Sequence, residues 1–550
     1  MAKKFVIAGI SAILLVAIVI GIIASTTRPR TSNSGAQLTT NSRSISALCH
    51  STVYKDLCER TLHSGRINES STSGDIIRAA VKLIATEVQS ANQKAHELHS
   101  QAKTSIDNDG FEFCKQLLGD AGDQLSAVIA EADNGHRIAD FQAWLSMVIS
   151  YRTNCVASIE APELNEQMTD ALRNTTELTD NAIAVVTAVG ALAQQLNVNT
   201  SASGRRLLSN GEYPTWMAAG DRKMLGSRVV RPSFRPNAVV AKDGSGHFKS
   251  INDALNAMPK VYRGRYVIYV KAGVYYEKVT VEKHKPNVLI YGDGPRKTIV
   301  TGRLNYAEGV GTYKTSTFSV EAPGFIARSM GFSNTAGPEG HQAVALRLDA
   351  DAAVIYNCRI DGFQDSFYSQ TGRHFVRNSV ISGTIDFIFG DSQIVIQNSL
   401  IILRHPMDHQ QNTVTAHGRD TDNELTGLVI QNCRIVPDRR LFPDRFMIRS
   451  FLGRPWKRFS TTVVMESTIG DLIRPEGWMA WKGDYALDTL YYAEYNNRGP
   501  GAPTNGRVRW RGYHVIKRRE ALRWTAGALL AGRRWIPFSG VPHALWLMRS

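Results

Sequence analysis

Residues 354–403 read VIYNCRIDGFQDSFYSQTGRHFVRNSVISGTIDFIFGDSQIVIQNSLIIL, and a strand-like phrase with an asparagine keeps returning in them. VIYNCRI starts at Val354, FVRNSVI at Phe375, IVIQNSLI at Ile394 and, farther on, VIQNCRI at Val429. Their asparagines, Asn357, Asn378, Asn398 and Asn432, are 21, 20 and 34 residues apart. A strand-rich unit repeating every 20-odd residues predicts a coiled β-solenoid with one longer excursion before the last unit. Coils in such a stack lie about 4.8 Å apart, so residues one period apart become neighbours.

That rule pairs two aspartates. Asp365, in GFQDSFY (362–368), and Asp386, in GTIDFIFG (383–390), are 21 residues apart and stand among apolar or small residues. A lone aspartate beside glycine more commonly caps a turn. Two in register and flanked by Ile and Phe point to chemistry, because paired carboxylates cannot both ionise easily and one keeps its proton. Gln342 precedes Gln364 by 22 residues, so two amides fall beside the carboxylates and could hold a developing oxyanion. FLGRPWK (451–457) adds Arg454, a fork able to keep one carboxylate ionised, and Trp456, a flat face for a sugar ring. Taken singly, these last two would read as a surface charge and a packed aromatic.

Five motifs in order, GVYYE (273–277), HQAVAL (341–346), GFQDSFY, GTIDFIFG and LGRPW (452–456), make the chain from about Asn237 to Gly540 resemble plant pectin methylesterases. The resemblance implies a right-handed parallel β-helix and metal-free hydrolysis of methyl esters on homogalacturonan. Asp386 then resembles the nucleophile, Asp365 the general acid/base, Gln342 and Gln364 the oxyanion hole, and Arg454 the partner of Asp386. Trp456 and Trp481 resemble the aromatic residues lining sugar subsites, with Gln342 also touching substrate. Ser366 stands where the family usually has Thr, keeping the hydroxyl.

At 550 residues the chain exceeds one ordinary core. Lys3 and Lys4 precede an uncharged run, Phe5–Ala24, which reads as a signal peptide or a membrane anchor within residues 1–30. From about 40 to 200, Ile77, Val81, Ile84 and Val88, and again Val185, Val189, Leu192 and Leu196, follow helical spacing, and Leu117, Leu118, Leu125, Val128 and Ile129 continue it. An all-α four-helix bundle is expected there. Cys49, Cys58, Cys114 and Cys155 in an exported domain suggest two disulfides, for which sequence alone allows three pairings. The segment resembles the pectin methylesterase/invertase inhibitor domain, and that resemblance implies Cys49–Cys58 and Cys114–Cys155. Asn68-Glu-Ser, Asn174-Thr-Thr and Asn199-Thr-Ser are glycosylation sequons that support secretion weakly.

Charge divides along the same boundary. Residues 31–204 hold 12 Lys/Arg against 20 Asp/Glu, a balance of −8, whereas residues 205–550 hold 48 against 29, a balance of +19. An acidic bundle and a basic enzyme favour contact within one chain, and the basic half suits a polyanion such as de-esterified pectin. No aromatic-interleaved basic motif points to nucleic acid. The linker, 201–236, contains Arg205-Arg206-Leu207-Leu208 and Arg222-Lys223-Met224-Leu225, dibasic pairs of the kind proteases cut. The first resembles the family's processing motif; cleavage at the second would release an enzyme starting near Leu225–Ser227.

Cys358 and Cys433 occupy equivalent repeat positions about three coils, roughly 14 Å, apart. A disulfide needs Cα atoms within about 7 Å, so two free, buried thiols are expected. Asp243-Gly-Ser-Gly-His reads as a turn, no Cys/His set has zinc spacing, and nothing calls for a cofactor. The tail after Val515, rich in Arg and Trp, is expected to pack on the solenoid as a helix and a strand. A pectin lyase or polygalacturonase is the nearest alternative, since both share the solenoid and the substrate. The paired glutamines and lone Arg454 favour the esterase, and the intact site weighs against a non-catalytic wall-binding protein.

Overall fold

In the computed structural model the described residues are 45–68, 70–195 and 235–548. The Phe5–Ala24 run, Asn199, Leu196 and both dibasic pairs lie outside them. Two compact units emerge. One takes in the helical region up to Glu97 with Lys115–Arg152 and the stretch from Glu166; the other holds all the strands together with Leu98–Cys114 and Thr153–Asn165.

Among the described residues the helical region has four long helices, α2 (Ser73–His99), α3 (Ser105–Glu131), α4 (Ile138–Ala157) and α6 (Arg173–Gln195), with shorter α1 (Lys55–Ser64) and α5 (Pro162–Ala171). Thr72 caps α2: its hydroxyl accepts from the Asp75 N–H at 3.1 Å while its own N–H donates to the Asp75 carboxylate at 2.9 Å. This reciprocal arrangement satisfies donors the first turn would otherwise leave bare. Ile77, Val81, Ile84 and Val88 are buried, as the 3.6-residue period requires. The disulfides join Cys49 to Cys58 and Cys114 to Cys155. Asn68 and Asn174 are exposed, as acceptor asparagines must be.

Among the described residues of the other unit, parallel strands form three sheets of eleven, seven and eight strands, each visited in turn as the chain coils. The repeat is in register on every sheet. Ile355, Val376, Ile396, Ile430 and Val464 pair in a ladder that points into the coil, and all are buried. Each asparagine of the repeat, Asn357, Asn378, Asn398 and Asn432, turns a corner with φ between 50° and 53°. This left-handed conformation suits asparagine better than other residues with a Cβ. The 34-residue interval is absorbed by excursions on either side of Asn412–His417.

Cys358 and Cys433 are free and buried, and both belong to a polar ladder inside this corner. The Cys358 N–H donates to Ser379 Oγ at 3.1 Å, the Ser379 N–H to Ser399 Oγ at 3.1 Å, and the Ser399 N–H to Cys433 Sγ at 3.4 Å. Three rungs therefore separate the thiols, as the repeat predicts.

The alternate residues Val354, Phe375, Val395, Val429 and Val463 point out of the same sheet and are still buried. They are covered by the chain's own end: Ile516, Ala521, Ala526, Leu530, Ile536 and Val541 pack onto them. Gln397 and Gln431 fasten it further, donating to the Ala544 and Trp546 carbonyls at 2.8 and 3.1 Å. The expected helix and strand are replaced by short helical turns, with no strand among the described residues after Tyr513–Val515. Glycines and a proline at 527, 532, 537 and 540 interrupt any longer element.

Burial raises the Cys358 and Cys433 thiols to about 12. The folded protein is expected to show no reaction with a thiol reagent such as Ellman's at pH 8 and two reactive thiols per chain in guanidinium. Truncation after Val515 is expected to expose the outward ladder and give an aggregating product, read by light scattering.

Candidate active site

The corner between the eight-stranded and seven-stranded sheets places the sequence-derived residues. Strand β1 (Arg359–Asp361) leads through 362–366 into β2 (Phe367–Thr371), and β3 (Val380–Gly383) leads through 384–387 into β4 (Ile388–Gly390). β2 pairs with β4, Phe367 opposite Ile388, so Asp365 and Asp386 come to equivalent positions on adjacent coils. Gln342 and Gln364 bridge one coil below, the Ala343 N–H donating to the Gln364 carbonyl at 3.2 Å. Both aspartates have positive φ, 61° and 50°. Strain of this kind persists where surrounding structure imposes it, and it collects at functional sites. The turn before Asp386 needs glycine at 383, where a Cβ would lie 2.2 Å from Phe387 Cβ and 2.6 Å from the Phe363 carbonyl oxygen.

The two carboxyl groups differ in surroundings. Asp386 is held by Arg454, whose Nε lies 2.9 Å from Oδ1 and whose Nη2 lies 2.6 Å from Oδ2. Thr413 donates its hydroxyl to Oδ1 at 2.6 Å and accepts the Asp386 N–H at 2.9 Å. Arg454 follows strand β8 (Ser450–Gly453), two coils past Asp386, and its guanidinium lies over the Trp481 ring at 4.3 Å. A fork fixed on both sides holds its partner carboxyl in a set orientation. Asp365 is buried beside this anion, and its carboxyl meets no hydrogen-bond donor or ion-pair partner among the described residues. Burial first, and then the Asp386 charge, push its titration well above the usual carboxylate range, while Arg454 pulls it partly back. A carboxyl whose proton is held more firmly than usual therefore sits beside an arginine-held one.

Aromatic rings form the floor beside them. Tyr368 stacks on Phe389 at 4.3 Å, and Phe389 meets the Trp456 ring edge-on at 6.1 Å. Trp481 is partly exposed. All seven residues singled out in the sequence thus border one cleft of the strand unit. Thr413 was not among them, because a threonine within NTVTAH carries no mark distinguishing it from ordinary strand residues. Tyr368 and Phe389 also read as core until the coil turns them outward. Among the described residues, no group of three or more His, Cys, Asp or Glu is placed to hold a metal ion.

Comparison with known proteins agrees with this architecture. The pectinesterase family profile matches residues 237–533, and that of the plant invertase/pectin methylesterase inhibitor matches residues 43–185. An Arabidopsis thaliana protein described as probable pectinesterase/pectinesterase inhibitor 13 is 42% identical over 514 residues, spanning 92% of this chain and 82% of its own. Probable pectinesterase/pectinesterase inhibitor 58 of the same plant is 41% identical over 563 residues, 98% of each chain. The structure of pectin methylesterase from carrot is 45% identical, covers 58% of this chain and 100% of its own, and aligns with a TM-score of 0.57. The chain belongs to the pectinesterase family, ester hydrolases built on a right-handed parallel β-helix, and carries an inhibitor-type helical domain ahead of the enzyme domain.

Replacing Asp386 with Asn removes the negative neighbour of Asp365. The Asp365 carboxyl is then expected to titrate at lower pH than in the unaltered protein, followed by carboxyl ¹³C NMR. An unchanged or higher midpoint would show that burial alone governs it.

Proposed function

We propose that Asp386 is the nucleophile and Asp365 the acid/base in hydrolysis of galacturonate methyl esters in homogalacturonan. The observation carrying this reading is the contrast between the two carboxyls, one gripped by Arg454 and one buried without a cation of its own. An Asp386 oxygen attacks the ester carbonyl, and the Gln342 and Gln364 amides donate to the oxygen that becomes negative. The bond from carbonyl carbon to methoxyl oxygen breaks, the Asp365 proton passes to that oxygen, and methanol leaves. The acyl group is then held on Asp386 as an anhydride. Asp365, now ionised, takes a proton from water, whose oxygen attacks the acyl carbon, releasing the free galacturonate and restoring Asp386. Trp456 and Trp481 offer faces for the sugar rings on either side.

The chain's place in the cell follows from the same reading. The N-terminal run directs export, and the enzyme acts on pectin of the wall. Among the described residues no helix is long and apolar enough to cross a membrane, and Phe5–Ala24 lies outside them. The inhibitor-type domain restrains or escorts the enzyme until cleavage in 201–236 releases it near Leu225–Ser227.

The test is to incubate the purified chain with highly methylated pectin and excess EDTA, following methanol and unsaturated ends in one tube. Methanol without unsaturated ends is expected; unsaturated ends without methanol would establish a lyase instead. Asp386→Asn and Asp365→Asn are each expected to lower kcat by about 10²–10⁴-fold or more, and Gln364→Ala by about 10²–10³-fold. Near-normal turnover in Asp386→Asn would overturn the assignment. Because the acid must carry its proton, kcat is expected to fall as pH rises through the raised Asp365 value.

A further inference from the structure

The corner that carries Asp365 and Asp386 carries two more loops, 404–411 and 438–449. The second joins β7 (Arg434–Pro437) to β8 and reads DRRLFPDRFMIR. In the seven-stranded sheet β8 stands two places beyond β4, so this loop lies about 10 Å along the stack from the Asp386 turn. The catalytic cluster itself runs in this direction. Gln342, Gln364 with Asp365, and Asp386 sit on three successive coils, and residues 438–449 stand farther along the same corner.

The loop is unusual in what it leaves to solvent. Phe442, Phe446 and Met447 are 54%, 57% and 83% exposed. The Arg445 guanidinium lies between the two phenylalanine rings, 4.1 Å from each centroid, and reaches Asp471 at 3.1 Å. Arg434, Arg439 and Arg440 are exposed, and none has an ion pair within 4 Å among the described residues. Arg449 is exposed too and meets Glu476 only at 4.0 Å. Of the two acids in the loop, Asp438 is turned toward the Leu441 N–H at 2.7 Å, and Asp444 faces His405 at 3.5 Å. Packing does not call for three bare apolar side chains beside uncompensated arginines: only Leu441 of this stretch is buried in the core.

We infer that this loop is a docking platform for the de-esterified stretch of the polyuronate chain. The inference rests on the pectin reading above and extends it from the reacting sugar to product already made. Phenylalanine rings offer flat apolar faces to the C–H faces of sugar rings, and guanidinium groups pair with carboxylates. A methyl ester lacks the charge, so the arginines distinguish product from substrate. Each ester cleaved at Asp386 creates a carboxylate on a chain that the platform two coils away can hold. The occupant is thus an anionic uronate chain, chosen by charge complementarity and by continuity with the catalytic corner.

The test compares the full chain with Arg439→Gln/Arg440→Gln and, separately, Phe446→Ala. Calorimetry measures binding of unesterified and fully methyl-esterified galacturonate oligomers at two salt concentrations. For the double variant, Kd for the unesterified oligomer is expected to rise about tenfold and the salt dependence to flatten by roughly two charges, by counterion release. Binding of the esterified oligomer is expected to stay within about twofold. Phe446→Ala is expected to weaken both. All three side chains are exposed, so unchanged melting temperatures serve as the folding control. Equal affinity of unaltered chain and double variant for the unesterified oligomer would overturn the platform. Failure of the esterase reading is separate: a chain that bound polyuronate through these arginines yet released no methanol would sink the catalytic assignment alone.

Discussion

Parallel stacking of equal coils is the constraint on which everything else in the strand unit depends. Each coil must close after nearly the same path, so its corners recur at fixed places and its inward residues pile into ladders. Backbone hydrogen bonds run between coils, not within them, and one residue of slippage would turn an inward ladder outward. The left-handed corners at Asn357, Asn378, Asn398 and Asn432 mark each return. The Ser379 and Ser399 hydroxyls and the Cys433 thiol just after them accept from the preceding coil's N–H groups, so the corner carries its own polar lining. Insertions are absorbed only outside the ladders, as in the excursions flanking Asn412–His417.

The same stacking makes a reactive pair from two ordinary residues. Neither Asp365 nor Asp386 is special within its own turn. Placed on adjacent coils, they acquire unlike environments: an arginine reaching back from two coils away, with Thr413 beside it, for one, and burial beside an anion for the other. The two carboxyls are thereby distinguished by surroundings, not by residue type. The cost of holding two aspartates at positive φ is borne by a large, rigid core, which is where such strain can be tolerated.

The outer surface of the coil follows another rule. A sheet apolar on both faces must be covered, and here the chain's end does so with short turns instead of a regular element. Trp524 and Trp535 pack partly buried against that cover, and the Trp535 Nε1–H donates to the Leu530 carbonyl at 2.9 Å. The corner loop 438–449 is the contrary case, with phenylalanines and a methionine left bare beside arginines on the catalytic edge.

How much of this was legible depended on whether information was periodic. The solenoid, its coil register, the separation of Cys358 from Cys433 and the adjacency of Asp365 with Asp386 all follow from intervals of 20–22 residues, because a repeat converts sequence distance directly into spatial distance. The long helices were legible for the same reason, through their 3.6-residue period. Gln342 and Gln364 could be placed by counting, whereas Arg454 and Trp456 were suggested by side-chain chemistry and Trp481 by resemblance alone, since no count links them to the aspartates. Only the tertiary structure decided that Thr413 orients Asp386, that Tyr368 and Phe389 face the cleft, and that the tail covers a sheet without a strand of its own. Those outcomes depend on which side chains meet across coils and on how far each loop reaches. A linear sequence carries intervals faithfully but does not encode, at any one position, the neighbours that packing supplies.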